Sequence, residues 1–163
     1  MIGKVIKYNL KNINTDLIIP ARYLINSDGN YLAQHCMEDL DRDFVKKVRK
    51  ENYQILVADS NFGCGSSREQ APSAIKASGI ICIIAPSFAR IFFRNAINIG
   101  LQIVELSNID DIKTGDVLEI DLKLGEINNT TSLHNYTVKK QPVFLQEIIS
   151  NGGLVKYAKK RLV

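Results

Sequence analysis

The stretch QILVADSNFGCGSSREQAPSAIKASGIICIIAP, residues 54–86, holds two short apolar runs, Ile55 to Ala58 and Ile80 to Ala85, on either side of a glycine loop and a helix-forming segment. Apolar runs of four to six residues bounded by glycine or proline are the mark of strands buried on both faces. The segment between them is predicted to be helical as far as Ser78, where Gly79 stops it. Strand, helix, strand in that order implies parallel neighbours joined by a right-handed crossover. The pattern then repeats. Pro86-Ser87 is predicted to open a second helix with Phe88, Ile91, Phe92, Ala96 and Ile99 on its apolar side; Gly100 ends it and Leu101 to Leu106 forms the next strand.

Upstream, residues 2 to 8 read as a strand and Asn12 to Asp16 as turn chemistry, followed by a short apolar piece that Pro20 closes. Tyr31 to Lys50 suits one or two helices entered through Ser27-Asp28-Gly29. After Gly115 the texture changes: Asp116 to Leu124 alternates, Gly125 turns, and Leu133 to Lys140 alternates again, which predicts antiparallel hairpins. Phe144 to Ser150 and Leu154 to Ala158, separated by Gly152-Gly153, are expected to be two short helices. The expected fold class is therefore α/β with a mixed, partly parallel sheet and an antiparallel hairpin region toward the C-terminus, in one domain spanning residues 1–163.

Composition narrows the function classes. The 163 residues are 45% hydrophobic and 23% charged, the proportions of a globular chain. The net charge of +4 comes from 21 basic and 17 acidic residues spread along the sequence. No dense basic stripe interleaved with aromatics suggests nucleic acid, and no run suggests a membrane span. The first residues lack the apolar core of a signal peptide, so a cytoplasmic location is expected, with Cys36, Cys64 and Cys82 reduced. Those cysteines are too widely spaced for a C-x-x-C site, and only His35 and His134 accompany them, so no metal site is expected on this chain.

The glycine loop carries the chemistry. A loop that leaves a strand and enters a helix gathers unpaired N–H groups where the helix dipole favours negative charge, and Arg68 adds a planar fork of donors suited to a carboxylate or phosphate. Ser66 as a helix cap, with Glu69 completing a capping box, explains the same residues equally well. A dinucleotide fingerprint needs a third glycine where Arg68 stands, a P-loop needs Gly-Lys-Ser or Gly-Lys-Thr, and an acyl-transfer elbow needs G-x-S-x-G with a histidine base. None of these is present. A Cys64 nucleophile stays open on the residues alone.

Three stretches together carry a resemblance. Asn61-Phe62-Gly63-Cys64-Gly65-Ser66-Ser67-Arg68-Glu69 resembles one signature of the aconitase superfamily's swivelling domain, Ser87-Phe88-Ala89-Arg90-Ile91 resembles its second, and Asn14-Thr15-Asp16-Leu17-Ile18-Ile19-Pro20-Ala21-Arg22-Tyr23-Leu24 is a third match. With Gly152-Gly153-Leu154 the likeness covers nearly the whole chain. It is similar in particular to the separate small subunits of 3-isopropylmalate dehydratase, and so implies an aconitase-type swivelling β/β/α domain. In that family a large subunit holds a 4Fe-4S cluster, which acts as a Lewis acid on the substrate, and the small subunit closes over it as a lid.

The reaction implied is the interconversion of 2-isopropylmalate and 3-isopropylmalate by loss and return of water, in leucine biosynthesis. By the resemblance Ser66 is the base, Ser67 and Arg68 bind a substrate carboxylate, and Gly65, Thr15 and Asp16 line the same site. For Asp16 the site reading, orienting a catalytic group across the subunit interface, is preferred, and fixing the turn after Asn12 is the alternative. In related small subunits the residue after Tyr-Leu faces the variable substituent, so Tyr23-Leu24-Ile25-Asn26 is the expected specificity loop; apolar Ile25 fits an isopropyl group, where homoaconitase has arginine. An ordinary contact between the loop and the core also explains Ile25. Citramalate or dimethylmalate dehydratase would tolerate Ile25 too, and a non-catalytic anion-binding module is the alternative from another class. The partners implied are a large subunit and a small dicarboxylate.

Overall fold

The computed structural model describes residues 1–162; Val163, the last residue of the expected domain, lies outside the described residues. Four parallel strands, β1 (Ile2–Tyr8), β2 (Tyr53–Ala58), β3 (Cys82–Ala85) and β4 (Gln102–Glu105), form one half of a seven-stranded sheet of order β4-β3-β2-β1-β5-β6-β7. The other half, β5 (Val117–Asp121), β6 (Glu126–Asn129) and β7 (His134–Thr137), is antiparallel and joins at β1. Among the described residues seven α-helices accompany the sheet: α1 (Thr15–Ile18), α2 (Gly29–Gln34), α3 (Phe44–Glu51), α4 (Gln70–Ser78), α5 (Arg90–Asn98), α6 (Val143–Ser150) and α7 (Leu154–Arg161).

Because β1 to β4 are laid down in a single direction, right-handed crossovers put every connecting helix on the same face. The cores obey this. Ile6, Leu56, Ala58, Ile83, Ala85 and Ile103 point into one core shared with Leu32, Phe44, Ile75, Phe92 and Ile148 from the helices. Val5, Ile55, Val57, Cys82, Ile84 and Val104 point the other way, into a second core closed by Leu106, Ile109 and Ile112 and by Leu118, Ile120 and Ile127 of the antiparallel strands. Alternation of side chains along each strand thus feeds two cores, which is why β2 and β3 read as unbroken apolar runs.

Two expectations need correction. The helix expected from Pro86-Ser87 begins at Arg90. Residues 87–89 are extended instead, because Phe62 N donates to Ser87 O and Ala89 N to Phe62 O, so Phe88 pairs with Phe62 in an isolated parallel bridge. Ile91, assigned to the apolar side, is half exposed. The second correction is β6, which starts directly after the Gly125 turn and pairs with β5 from Leu118↔Asn129 to Asp121↔Glu126. Pro72 is the third residue of α4, within the first turn, where its missing N–H has no intrahelical partner to lose.

Candidate active site

The three stretches of the sequence resemblance each follow the C-terminal end of a parallel strand: residues 14–24 follow β1, 61–69 follow β2 and 87–91 follow β3. Those strands are adjacent and in register at their ends, with Tyr8 opposite Ala58 and Val57 opposite Ile84. Loops leaving neighbouring parallel strands at the same end must meet, and this is where open α/β sheets place ligands.

Backbone bonds lock the meeting. Gly63 N donates to Ile13 O at 2.8 Å, Thr15 N to Cys64 O at 2.8 Å, and Asn14 and Cys64 form a parallel bridge. Asn61 Nδ2 donates to Asn12 Oδ1 at 2.8 Å and Asn61 N to Ser87 Oγ at 2.9 Å. Beneath them Phe62, Phe88 and Phe92 pack together, Phe62 edge-on to both of the others. Two glycines make this close approach work. Gly63 has φ +77°, and a Cβ there would lie 2.2 Å from Phe92 Cγ; Gly65 has φ +94°, and its Cβ would lie 3.3 Å from Thr15 Oγ1.

The result is a cleft of about 470 Å³. One wall is Gly65, Ser66, Arg68 and Thr15; the other is the outer face of α5, with Arg90, Ile91, Arg94 and Asn95. Ser66 and Ser67 are exposed. The backbone N–H groups of Ser66, Ser67 and Arg68 donate to no acceptor among the described residues. They stand just ahead of α4, so free donors and the positive end of the helix coincide. The capping alternative for Ser66 does not hold: α4 starts at Gln70, its cap is Glu69, and no side chain caps it.

The other expected residues fall as follows. Arg68 is mostly buried, and its Nη1 lies 2.7 Å from Asp16 Oδ1 and donates to Ile19 O at 3.1 Å. Asp16 thus orients Arg68 as well as standing in the first turn of α1, and it is not on the cleft wall itself. Thr15 is buried and ties the loop down by donating from Oγ1 to Ser66 O at 3.0 Å. Ser67 is adjacent but is not one of the residues lining the cleft. The specificity loop is not brought to the cleft in the isolated chain: Ile25 is 88% exposed, which also rules out the loop-core contact. Sequence reasoning passed over Arg94 and Asn95, and gave Arg90 no role although it lies in a recognised motif; the spacing of 90, 91, 94 and 95 on one helical face was the available signal.

Behind the Tyr23 loop lies a charged network. Arg22 donates to Asp39 Oδ2 at 2.9 Å and to Glu38 Oε1 at 2.8 Å, Tyr23 OH donates to Glu38 Oε1, and His35 stacks on Tyr23 with Nδ1 at 2.8 Å from Glu38 Oε2. Arg22 is therefore turned away to its own acids. Burial works to raise the Glu38 carboxyl, but the hydrogen bonds from Tyr23, His35 and Arg22 outweigh it and hold the group below its ordinary value; the Arg22 bond holds Asp39 down likewise. A carboxyl that gives up its proton more readily when folded contributes stability above its unfolded value, 4.5 for Glu38 and 3.8 for Asp39, and loses it as pH falls through the lower folded value. Thermal melts followed downward from neutral pH are expected to show the wild-type midpoint falling on this acid limb, with a shallower fall in Glu38→Gln.

Cys36 and Cys82 do not suit a cluster. Cys36 and Cys82 are fully buried in opposite cores, and burial pushes both thiols up, Cys82 to about 12, the reverse of what a thiolate ligand needs. Among the described residues no three or more His, Cys, Asp or Glu gather to hold a metal ion, and no helix is long and apolar enough to cross a membrane.

Comparison with known proteins places the geometry. Residues 3–109 match the aconitase C-terminal domain. The chain is 57% identical over 161 residues to the 3-isopropylmalate dehydratase small subunit of Caldicellulosiruptor bescii, covering 98% of this chain and 95% of the relative. It is 55% identical over 160 residues to that of Clostridium beijerinckii, covering 98% of each. Among solved structures, a 3-isopropylmalate dehydratase crystal structure from Methanocaldococcus jannaschii superposes with a TM-score of 0.90 at 48% identity, covering 99% of this chain and 96% of that one.

Proposed function

Because the chain belongs to the 3-isopropylmalate dehydratase small subunits, within the aconitase C-terminal domain family, we propose that it is a single lid domain that supplies the base and carboxylate-binding groups for interconverting 2-isopropylmalate and 3-isopropylmalate. It is the small subunit of a hydro-lyase of leucine biosynthesis and works with a large subunit. The iron-sulfur cluster implied by the family belongs to that large subunit, and the two buried thiols of this chain, Cys36 and Cys82, do not fit as its ligands. The single observation that carries the reading is the exposed Ser66 hydroxyl, with Ser67 adjacent, beside free backbone donors and Arg68 at a cleft that no acidic side chain among the described residues lines.

In the reaction a proton leaves carbon, the C–H electron pair becomes the second bond of the alkene, and the C–O pair departs with hydroxide. Ser66 Oγ takes the carbon-bound proton. A serine hydroxyl is far too weak an acid to ionise unaided near neutral pH, so its charged form must be stabilised by the surroundings. Free N–H groups at the loop, the positive end of α4 and the Arg68 guanidinium all act in that direction, and each strengthens when a partner excludes water from the cleft. Arg68 also meets a substrate carboxylate through donors that Asp16 and Ile19 leave unused, while Ser67 adds a hydroxyl. Return of water with the opposite regiochemistry delivers the proton from Ser66 Oγ to the carbon that lost hydroxide, while hydroxide adds to the carbon that lost the proton.

Tyr23-Leu24-Ile25-Asn26 projects Ile25 into solvent, so its place in substrate choice depends on the large subunit folding it against the bound substituent. Burying an isopropyl group there gains roughly 2 kcal/mol, whereas an unpaired carboxylate would cost several. Reconstitution with a large subunit tests the whole reading: 3-isopropylmalate should be turned over well, and homoaconitate and citramalate poorly. Preferred turnover of either of the others would move the chain to the related enzymes, and binding of a phosphorylated ligand by the lone chain without any turnover in the complex would make it a binding module.

A further inference from the structure

Arg68 cannot serve a doubly charged substrate alone. Its Nη1 is committed to Asp16 and Ile19 O, and the Asp16 carboxylate offsets part of its charge. The opposite wall carries charge with nothing to cancel it. Arg90 and Arg94 are both exposed on the face of α5 that lines the cleft, and neither makes an ion pair or hydrogen bond with the described residues. Arg22 and Arg161, also on the surface, do have acidic partners.

Two like charges four residues apart on a helix lie about 6 Å apart along its axis and repel one another. No acidic side chain among the described residues lines the cleft to relieve this. Asn95, half buried, adds an amide to the same wall, and half-exposed Ile91 stands between the arginines. An anion between the two walls would satisfy both sides at once.

Resting on the function proposed above, we propose that the outer face of α5 is a carboxylate-binding wall, on which Arg94, supported by Arg90 one turn earlier, takes the substrate carboxylate that Arg68 does not. The cleft then holds a dicarboxylate between a loop that reacts and a helix that positions. Arginine suits the role because its fork can hold a carboxylate through two parallel bonds, which lysine cannot reproduce.

The test uses the complex reconstituted with a large subunit. Kd for 2-isopropylmalate, and KM and kcat for the reaction, are measured for wild type, Arg94→Gln, Arg94→Lys and Arg90→Gln, and Kd is repeated with each of the two monomethyl esters of 2-isopropylmalate. Loss of one charge-assisted contact should raise KM and Kd for the dicarboxylate by about 10- to 100-fold in Arg94→Gln, with a smaller change in kcat. Arg94→Lys should recover part of the loss, and Arg90→Gln should lose less than Arg94→Gln. The penalty should vanish for one monoester and persist for the other. An unchanged Kd, an equal penalty with both esters, or weakened assembly with the large subunit in place of weakened substrate binding would overturn the proposal, the last making α5 a docking surface. If the wild-type complex fails to turn over isopropylmalate, the functional reading falls by itself, and the same Kd comparison with the unsymmetrical 2-methylsuccinate and its two monomethyl esters still decides the wall.

Discussion

Replacing Ser66 by alanine is expected to lower kcat of the reconstituted complex by about a hundred- to ten-thousand-fold, the contribution of a positioned general base, while leaving the lid folded. The stability half of this expectation comes from the structure. Ser66 is exposed, caps no helix, and enters the hydrogen-bond network only through its backbone carbonyl, which accepts from Thr15 Oγ1 at 3.0 Å. An exposed side chain with no partner changes stability by less than about 0.5 kcal/mol on truncation. The catalytic half follows from the removal of the exposed hydroxyl on the cleft wall that sits at the free amides ahead of α4. Activity and melting should therefore separate cleanly in this variant. A variant that melts much earlier yet turns over normally would return Ser66 to a structural role.

The second large effect concerns the floor of the site. Gly63→Ala must place a side chain at φ +77° and within 2.2 Å of Phe92 Cγ, 2.5 Å from Phe92 Cβ. The left-handed conformation costs about 1–3 kcal/mol for such a residue, and overpacking a filled core costs about 1–3 kcal/mol more. The expected sum is about 2–6 kcal/mol, or a fall in Tm of roughly 5–20 °C for a chain of this size. Gly115→Ala is the internal control, because Gly115 also has positive φ, +99°, but nothing lies within 4 Å of the point a Cβ would occupy there; it should suffer only the conformational part. Phe92→Leu should relieve Gly63→Ala, giving non-additive losses in the double variant. Equal melting of the Gly63 and Gly115 variants would mean that the Phe92 contact is not what demands glycine. Because Phe92 also stands under the wall that carries Arg90 and Arg94, Gly63→Ala should lose activity along with stability.

Much of this was legible in the sequence, for physical reasons that differ from residue to residue. The runs Ile55 to Ala58 and Ile80 to Ala85 announce strands because both faces are buried, and Gly79, at φ +115°, announces the end of α4 because few other residues tolerate that conformation. Phe88 misled because its spacing to Phe92 is helical, yet the two rings stack from an extended residue and a helical one. Only the bridge to Phe62, a long-range contact, decides that. Strand β6 was missed because Glu126, Asn128 and Asn129 are polar, leaving Ile127 as its single apolar core residue. In the site, Ser66 and Arg68 stood out by local chemistry. Arg90 and Arg94 looked like ordinary solvated charges, since nothing in a helix's own sequence says whether its polar face looks at water or at the wall of a cleft.

The central claim is that Ser66 Oγ moves the carbon-bound proton, and exchange of that proton tests it most directly. With the reconstituted complex in D2O, deuterium entering the reacting carbon of 3-isopropylmalate is followed for wild type and for Ser66→Ala at saturating substrate. Rapid incorporation by wild type and its loss in Ser66→Ala, with Kd for the substrate little changed, is the expected result. Incorporation at the wild-type rate in Ser66→Ala would contradict the account, because the proton would then be leaving carbon for some other base.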